Sequence, residues 1–83
     1  MRGNPFEFGK AFAAVTEKHR KKLRLSRARL AELAGLHQTY IGLMENGRRS
    51  PNLGTAKAIA GGLGIPLHKL IKEAEADPKA TSA

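Results

Sequence analysis

"GLHQTYIGLMENGRRSP", residues 35–51, decides how this chain is read. Its spacing predicts a short helix from about Gln38 to Asn46, stopped by Gly47. With successive side chains turned by about 100°, Ile41 and Met44 share one side, with Tyr40 at its edge. Thr39, Gly42, Leu43 and Asn46 share the opposite side, and Gln38 lies at the flank nearest the start. An exposed helix face is normally charged. This one offers small residues, amides and a leucine, then runs into Arg48 and Arg49. It is suited to close approach to another surface.

The flanking segments are also helical. In "FGKAFAAVTEKHRKKLRL", Phe8, Phe12, Val15, His19 and Leu23 recur at intervals of three and four, which predicts a first helix ending near Arg24. "LSRARLAELAG" predicts a second, with Ser26 as N-cap, Leu30, Ala31 and Ala34 facing inward, and Gly35 as the stop. Only Leu36 and His37 then separate Gly35 from the third helix. So short a connection makes two helices meet at a steep angle, the spacing of a helix-turn-helix. "RRSPN" predicts a loop, because Pro51 disfavours helix at Ser50. "LGTAKAIAGGLG" predicts a fourth helix with Leu53, Ala56, Ile59, Ala60 and Leu63 inward, and its glycines require packing to hold it. Pro66 opens a fifth, with Leu67, Leu70 and Ile71 inward.

The expected architecture is all-α: five short helices in one domain. Residues 1–9 are read as an N-terminal extension, 10–75 as the domain and 76–83 as a frayed polar tail. The expected core is Phe12, Val15, Leu23, Leu30, Ala31, Ala34, Leu36, Ile41, Met44, Leu53, Ile59, Ala60, Leu63, Leu67 and Leu70.

Composition narrows the function. The chain has 83 residues, room for one modest core. Fifteen Lys and Arg against seven Asp and Glu give a formal net charge of +8, which calls for a polyanionic partner, nucleic acid before an acidic membrane surface. There is no cysteine, hence no disulfide framework and no thiolate metal site. No apolar run approaches the ~18 residues of a membrane span, and "MRGNPFEFGK" lacks the apolar stretch of a secretory signal. A cytoplasmic protein with no membrane association is expected.

Enzyme chemistry finds no support. His19, His37 and His68 are scattered, without an acidic cluster or zinc-ligand spacing. "AGGLG" follows a helix and does not join a strand to one, as a phosphate-binding loop would. Ser26 and Ser50 read as a cap and a turn residue. No catalytic residue, cofactor, metal or small-molecule substrate is expected.

A helix enters the major groove of double-stranded DNA when its exposed side can approach the base edges. Gln38 and Thr39 stand at the end where such helices meet the bases. Gln38 can bond adenine twice, Thr39 offers a hydroxyl and a methyl, and Leu43 suits a thymine methyl. Gly42 lets the backbone come close. Seven Lys or Arg and no acid lie between Lys18 and Arg29, with Arg27 placed for a phosphate at the first turn of the second helix. Arg20 and Glu45 end the first and third helices, where they can pair and tie the reading helix to the scaffold.

These residues carry a family resemblance. From Arg20 to Ile71 the chain resembles the phage-repressor/Cro-like helix-turn-helix regulators, the XRE family. The matching places are Leu25-Ser26-Arg27, Leu30-Ala31, Ala34-Gly35, Tyr40-Ile41, Glu45-Asn46-Gly47, and Pro51 with Leu53. The resemblance implies a five-helix lambda-repressor-like domain. It implies base contacts from Gln38, Thr39 and Leu43, and phosphate contacts from Arg27, Asn46 and the loop with Arg48 and Arg49; His37 is a further candidate phosphate contact. It also supports the Arg20–Glu45 pair. Arg27 replaces the family's usual glutamine, Gly54 replaces a common acid, and Thr16 and His19 occupy places usually aliphatic, which leaves the packing of the first helix open.

The expected activity is sequence-specific transcription regulation by a homodimer on a two-fold symmetric operator, with reading helices about 34 Å apart. Leu67, Leu70 and Ile71 are the candidate dimer surface. Within the fold the alternatives are an antitoxin or a restriction-modification controller. From another class comes a protein-interaction or coactivator module, which would need neither the basic charge nor a groove-compatible third helix.

Overall fold

The computed structural model describes residues 5–76. They form α1 (Pro5–Lys22), α2 (Arg27–Ala34), α3 (Gln38–Glu45), α4 (Leu53–Leu63) and α5 (Leu67–Glu75), with no strand among the described residues. Helix α1 is the spine, touching α3, α4 and α5, while α2 lies between α3 and α4.

Local chemistry sets the boundaries. Ser26 caps α2 by accepting a hydrogen bond from the Arg29 amide, and Asn52 caps α4 by accepting one from Thr55. Helices α1 to α4 all end in the same way. A residue in the left-handed region follows the last turn, and the amide after it reaches back to the carbonyl five residues earlier: Leu25 to Arg20, Leu36 to Ala31, Arg48 to Leu43 and Ile65 to Ala60. Gly35, Gly47 and Gly64 take the left-handed position in three of them; Arg24 takes it in the fourth, at φ 59°.

The core is built from fully buried Leu30, Ile41, Met44, Ile59 and Leu70, with Phe12, Val15, Leu63 and several alanines around them. Each large aliphatic side chain contributes about 1.5–3 kcal/mol by leaving water. Gly62 lets α4 come close to α2. A β-carbon there would lie 3.0 Å from Leu30 Cδ1 and 3.3 Å from the Ala34 amide nitrogen.

Several expectations are corrected. The segment 1–9 is not wholly an extension: α1 starts at Pro5, and Phe8 packs against the core. Its first four residues, and 77–83 of the expected tail, lie outside the described residues. Leu23 is not core, because α1 ends at Lys22 and the chain turns; Leu25, the residue after the left-handed one, packs inward in its place. Leu53 is not core either. At the first position of α4 it is 77% exposed. Ala34 is only half-buried, while Leu36 and Leu67 are partly buried and pack against the core. Ala11, Ala13, Ala56 and Ala74 are buried and were not in the expected core.

The polar residues of α1 are accommodated. Thr16 is fully buried, and its hydroxyl donates to the Ala13 carbonyl at 2.9 Å, so no polar group is stranded. His19 turns aside to α5, where Nε2 lies 3.0 Å from both oxygens of Glu73. Lys18 Nζ reaches the same carboxylate at 3.1 Å. These bonds, His19 first and Lys18 second, hold the Glu73 carboxyl below its ordinary value.

Candidate nucleic-acid interface

Helix α3 buries Ile41 and Met44 and leaves its other side open. There Gln38, Thr39, Gly42, Leu43 and Asn46 line one open groove, with Arg27 of α2 as its other wall. Gln38, Thr39 and Asn46 are exposed, and Gly42 and Leu43 partly so. No carboxylate borders this groove. A surface that must approach a polyanion needs such an opening, because a bare carboxylate would repel it.

The one acid on α3 is turned away and neutralised. The Glu45 side chain is 1% exposed. Arg20 donates to it twice, from Nε at 2.7 Å and from Nη2 at 3.1 Å, and a further Arg20 bond goes to the Leu25 carbonyl at 2.8 Å. The sequence reading gave Glu45 one partner; the structure gives it two. Arg27 Nε donates to Glu45 Oε1 at 2.8 Å. One carboxylate thus fastens α3 to α1 and α2 together, and the two guanidiniums leave the group cationic. Arg27 remains 41% exposed. Its Nη1 passes beside Gly42, where a β-carbon would lie 3.5 Å away. A bare α3 surface at residue 42 leaves room for that guanidinium.

A second guanidinium flanks the other side of α3. Arg49 stands over the Tyr40 ring, 5.4 Å from its centroid. Burial pushes the Tyr40 phenol above its ordinary value, and the Arg49 charge acts in the opposite sense. Arg27 and Arg49 are therefore each braced, one by Glu45 and one by an aromatic face, on opposite flanks of the exposed strip. Arg48, Arg49 and His37 are exposed. His37 is the N-cap of α3 but makes no capping side-chain bond, so the first amides of α3 carry no side-chain cap.

The basic run from Lys18 to Arg29 is less bare than it looks in sequence. Lys18 faces Glu73, Lys21 faces Glu17, Arg29 faces Glu32, and Arg20 and Arg27 share Glu45. The candidate dimer residues divide: Leu67 and Ile71 are partly exposed, but Leu70 is fully buried in its own chain and cannot lie on a surface. Among the described residues no His, Asp or Glu side chains converge to hold a metal ion, and no helix is long and apolar enough to cross a membrane.

Two helices joined by Gly35, Leu36 and His37, the second with an acid-free outward strip between braced arginines, form a helix-turn-helix. The chain belongs to the helix-turn-helix family HTH_3, whose model matches residues 17–70. It is 39% identical over 54 residues to the immunity repressor protein of Bacillus phage phi105, a match covering 65% of this chain and 38% of the repressor. It is 43% identical over 47 residues to the control protein C.SmaI of Serratia marcescens, covering 57% of this chain and 56% of that protein. The chain thus spans well under two thirds of either curated relative. Among solved structures it resembles the restriction-modification controller protein C.AhdI from Aeromonas hydrophila, with 31% identity and a TM-score of 0.70 over 74% of this chain and 92% of that one. It also resembles an HTH_3 family transcriptional regulator from Vibrio cholerae, with 28% identity and a TM-score of 0.78 over 83% and 39%.

Proposed function

We propose that this protein is a sequence-specific, double-stranded DNA-binding transcription regulator. The observation that carries the reading is the acid-free groove formed by Gln38, Thr39, Gly42, Leu43 and Asn46 with Arg27. Gln38 and Thr39 read base edges and Leu43 meets a thymine methyl in the major groove. Arg27, His37, Asn46, Arg48 and Arg49 hold phosphates on either side, and these set register without reading sequence. Glu45 works from behind, fixing α3 at the angle the groove requires.

The active form is a homodimer on a two-fold symmetric site, joined through the partly exposed Leu67 and Ile71 of α5. Similarity to an immunity repressor and to a restriction-modification controller supports regulation of transcription over a protein-interaction role. The cytoplasm is the compartment that fits such a role. Selection of bound duplexes from a random DNA library tests the whole reading. Enrichment of a motif with two-fold symmetry is the expected result; recovery of unrelated sequences at equal frequency would contradict it.

A further inference from the structure

The family match begins at Glu17, so the first three turns of α1 lie outside it. Those turns reach the functional face. Gly9 backs directly onto the loop that follows α3: a β-carbon there would collide with Ser50 Oγ and lie 3.3 Å from Ser50 Cβ. That approach carries the next residue, Lys10, along the same loop. Its side-chain Cε lies 3.9 Å from where a β-carbon of Gly47 would stand. Gly9, Lys10, Gly47, Arg49 and Ser50 line one small recess beside the carboxyl end of α3.

The charge here differs from that of the run between Lys18 and Arg29. Lys10, Arg48 and Arg49 are all exposed, and none forms an ion pair with a carboxylate among the described residues. Three cations from two separate segments thus crowd one loop at the edge of the reading helix. With no carboxylate beside them, these charges are open to an anion from outside the chain.

We propose that Lys10 is a further DNA-backbone contact: its ammonium binds a phosphodiester at the edge of the groove, beside the phosphates held by Arg48 and Arg49. The Ser50 hydroxyl is a second donor in the same recess. Lysine suits this place, because its long stem delivers a point charge to a phosphate without demanding the planar geometry of arginine. Gly9 keeps α1 close enough for that stem to run past Gly47. The amino-terminal half of α1 thereby widens the footprint beyond the helix-turn-helix.

This inference rests on the DNA-binding reading, and one experiment separates the two. Dissociation constants for the selected duplex and its single-base variants are measured between 50 and 200 mM salt for the native chain, Lys10→Gln, Lys72→Gln and Gln38→Ala. Lys72 is an exposed lysine on α5 that does not line the recess. Each phosphate contact adds about 0.9 to the steepness of log K against log salt. Over that salt range Lys10→Gln should therefore lose about three- to fourfold less affinity per subunit than the native chain, with base preference unchanged and Lys72→Gln unaffected. A Lys10→Gln slope equal to that of the native chain, or matched by Lys72→Gln, overturns the inference. Unaltered base preference in Gln38→Ala overturns the reading beneath it, whatever Lys10→Gln does.

Discussion

Glu45 shows how much one side chain can hold. Its carboxylate is almost fully buried and accepts bonds from Arg20 and Arg27, so one residue fixes α3 to both neighbouring helices. Truncation would leave Arg20, itself only 10% exposed, with a single carbonyl partner. Breaking a buried pair from one side costs about 3–5 kcal/mol. Glu45→Ala is therefore expected to lower stability by that amount in chemical denaturation, despite removing a negative charge behind the proposed DNA-binding face. A stable Glu45→Ala that binds DNA more tightly would mean that Glu45 only tunes charge. Arg24 predicts the opposite sign. It sits at φ 59°, where a β-carbon costs about 1–2 kcal/mol. Arg24→Gly should raise the melting temperature, since glycine takes that conformation without strain. An unchanged or lower melting temperature would show that the Arg24 side chain repays the strain in the folded state.

At the scale of the element, α3 was legible because its cues are local. The Ile41 and Met44 stripe, Gly47 as stop and the short Leu36-His37 link all follow from spacing, and α3 ends within a residue of expectation. The same holds for Ser26 and Gly35 around α2. The end of α1 was less legible. Arginine is not a helix-stop signal, so the spacing carried Leu23 into the core, whereas the helix stops one residue before it. Leu53 fits the periodicity of α4 equally well, but it stands at the first position of its helix and stays exposed. The second partner of Glu45 was illegible too, since Arg27 lies 18 residues away and only the packing of α2 on α3 brings them together.

The adjacent glycines of α4 separate propensity from packing. Gly61 is exposed, with nothing within 4 Å of an added β-carbon; Gly62 faces Leu30 and Ala34 at 3.0–3.3 Å. Gly61→Ala should gain about 0.5–1 kcal/mol from helix propensity. Gly62→Ala makes the same backbone gain but forces α2 outward, an overpacking cost of about 1–3 kcal/mol. Denaturant midpoints should therefore move in opposite directions. Equal increases would show that α2 and α4 separate without cost.

Over the whole molecule, the net charge of +8 is sorted by folding into two kinds of surface. Five of the seven cations from Lys18 to Arg29 meet carboxylates of Glu17, Glu32, Glu45 or Glu73, whereas those of the loop after α3 meet none among the described residues. Counting charges along the chain located the first cluster; only the fold distinguished it from the second. Glu73 also sets a pH dependence. Its folded pKa lies below the ordinary 4.5, so its bonds to His19 and Lys18 stabilise the protein above about that pH. That contribution is lost as pH falls through the lowered folded value. Glu73→Gln should accordingly be less stable at neutral pH and lose less on acidification below 4.5. Parallel stability–pH curves for the two proteins would show that the α1–α5 clasp carries no weight.

The central claim is that the outward strip of α3 reads sequence while the flanking arginines only hold. The most direct measurement is the affinity of the native chain, Gln38→Ala and Arg49→Ala for the selected site and each of its single-base variants. The account predicts that Gln38→Ala loses about 1–3 kcal/mol at one base pair and becomes indifferent to that base. Arg49→Ala should bind every variant more weakly by a similar factor, because a phosphate is the same at every step. Loss of the same size across all variants for both substitutions would contradict the account, since the face of α3 would then not be the reader.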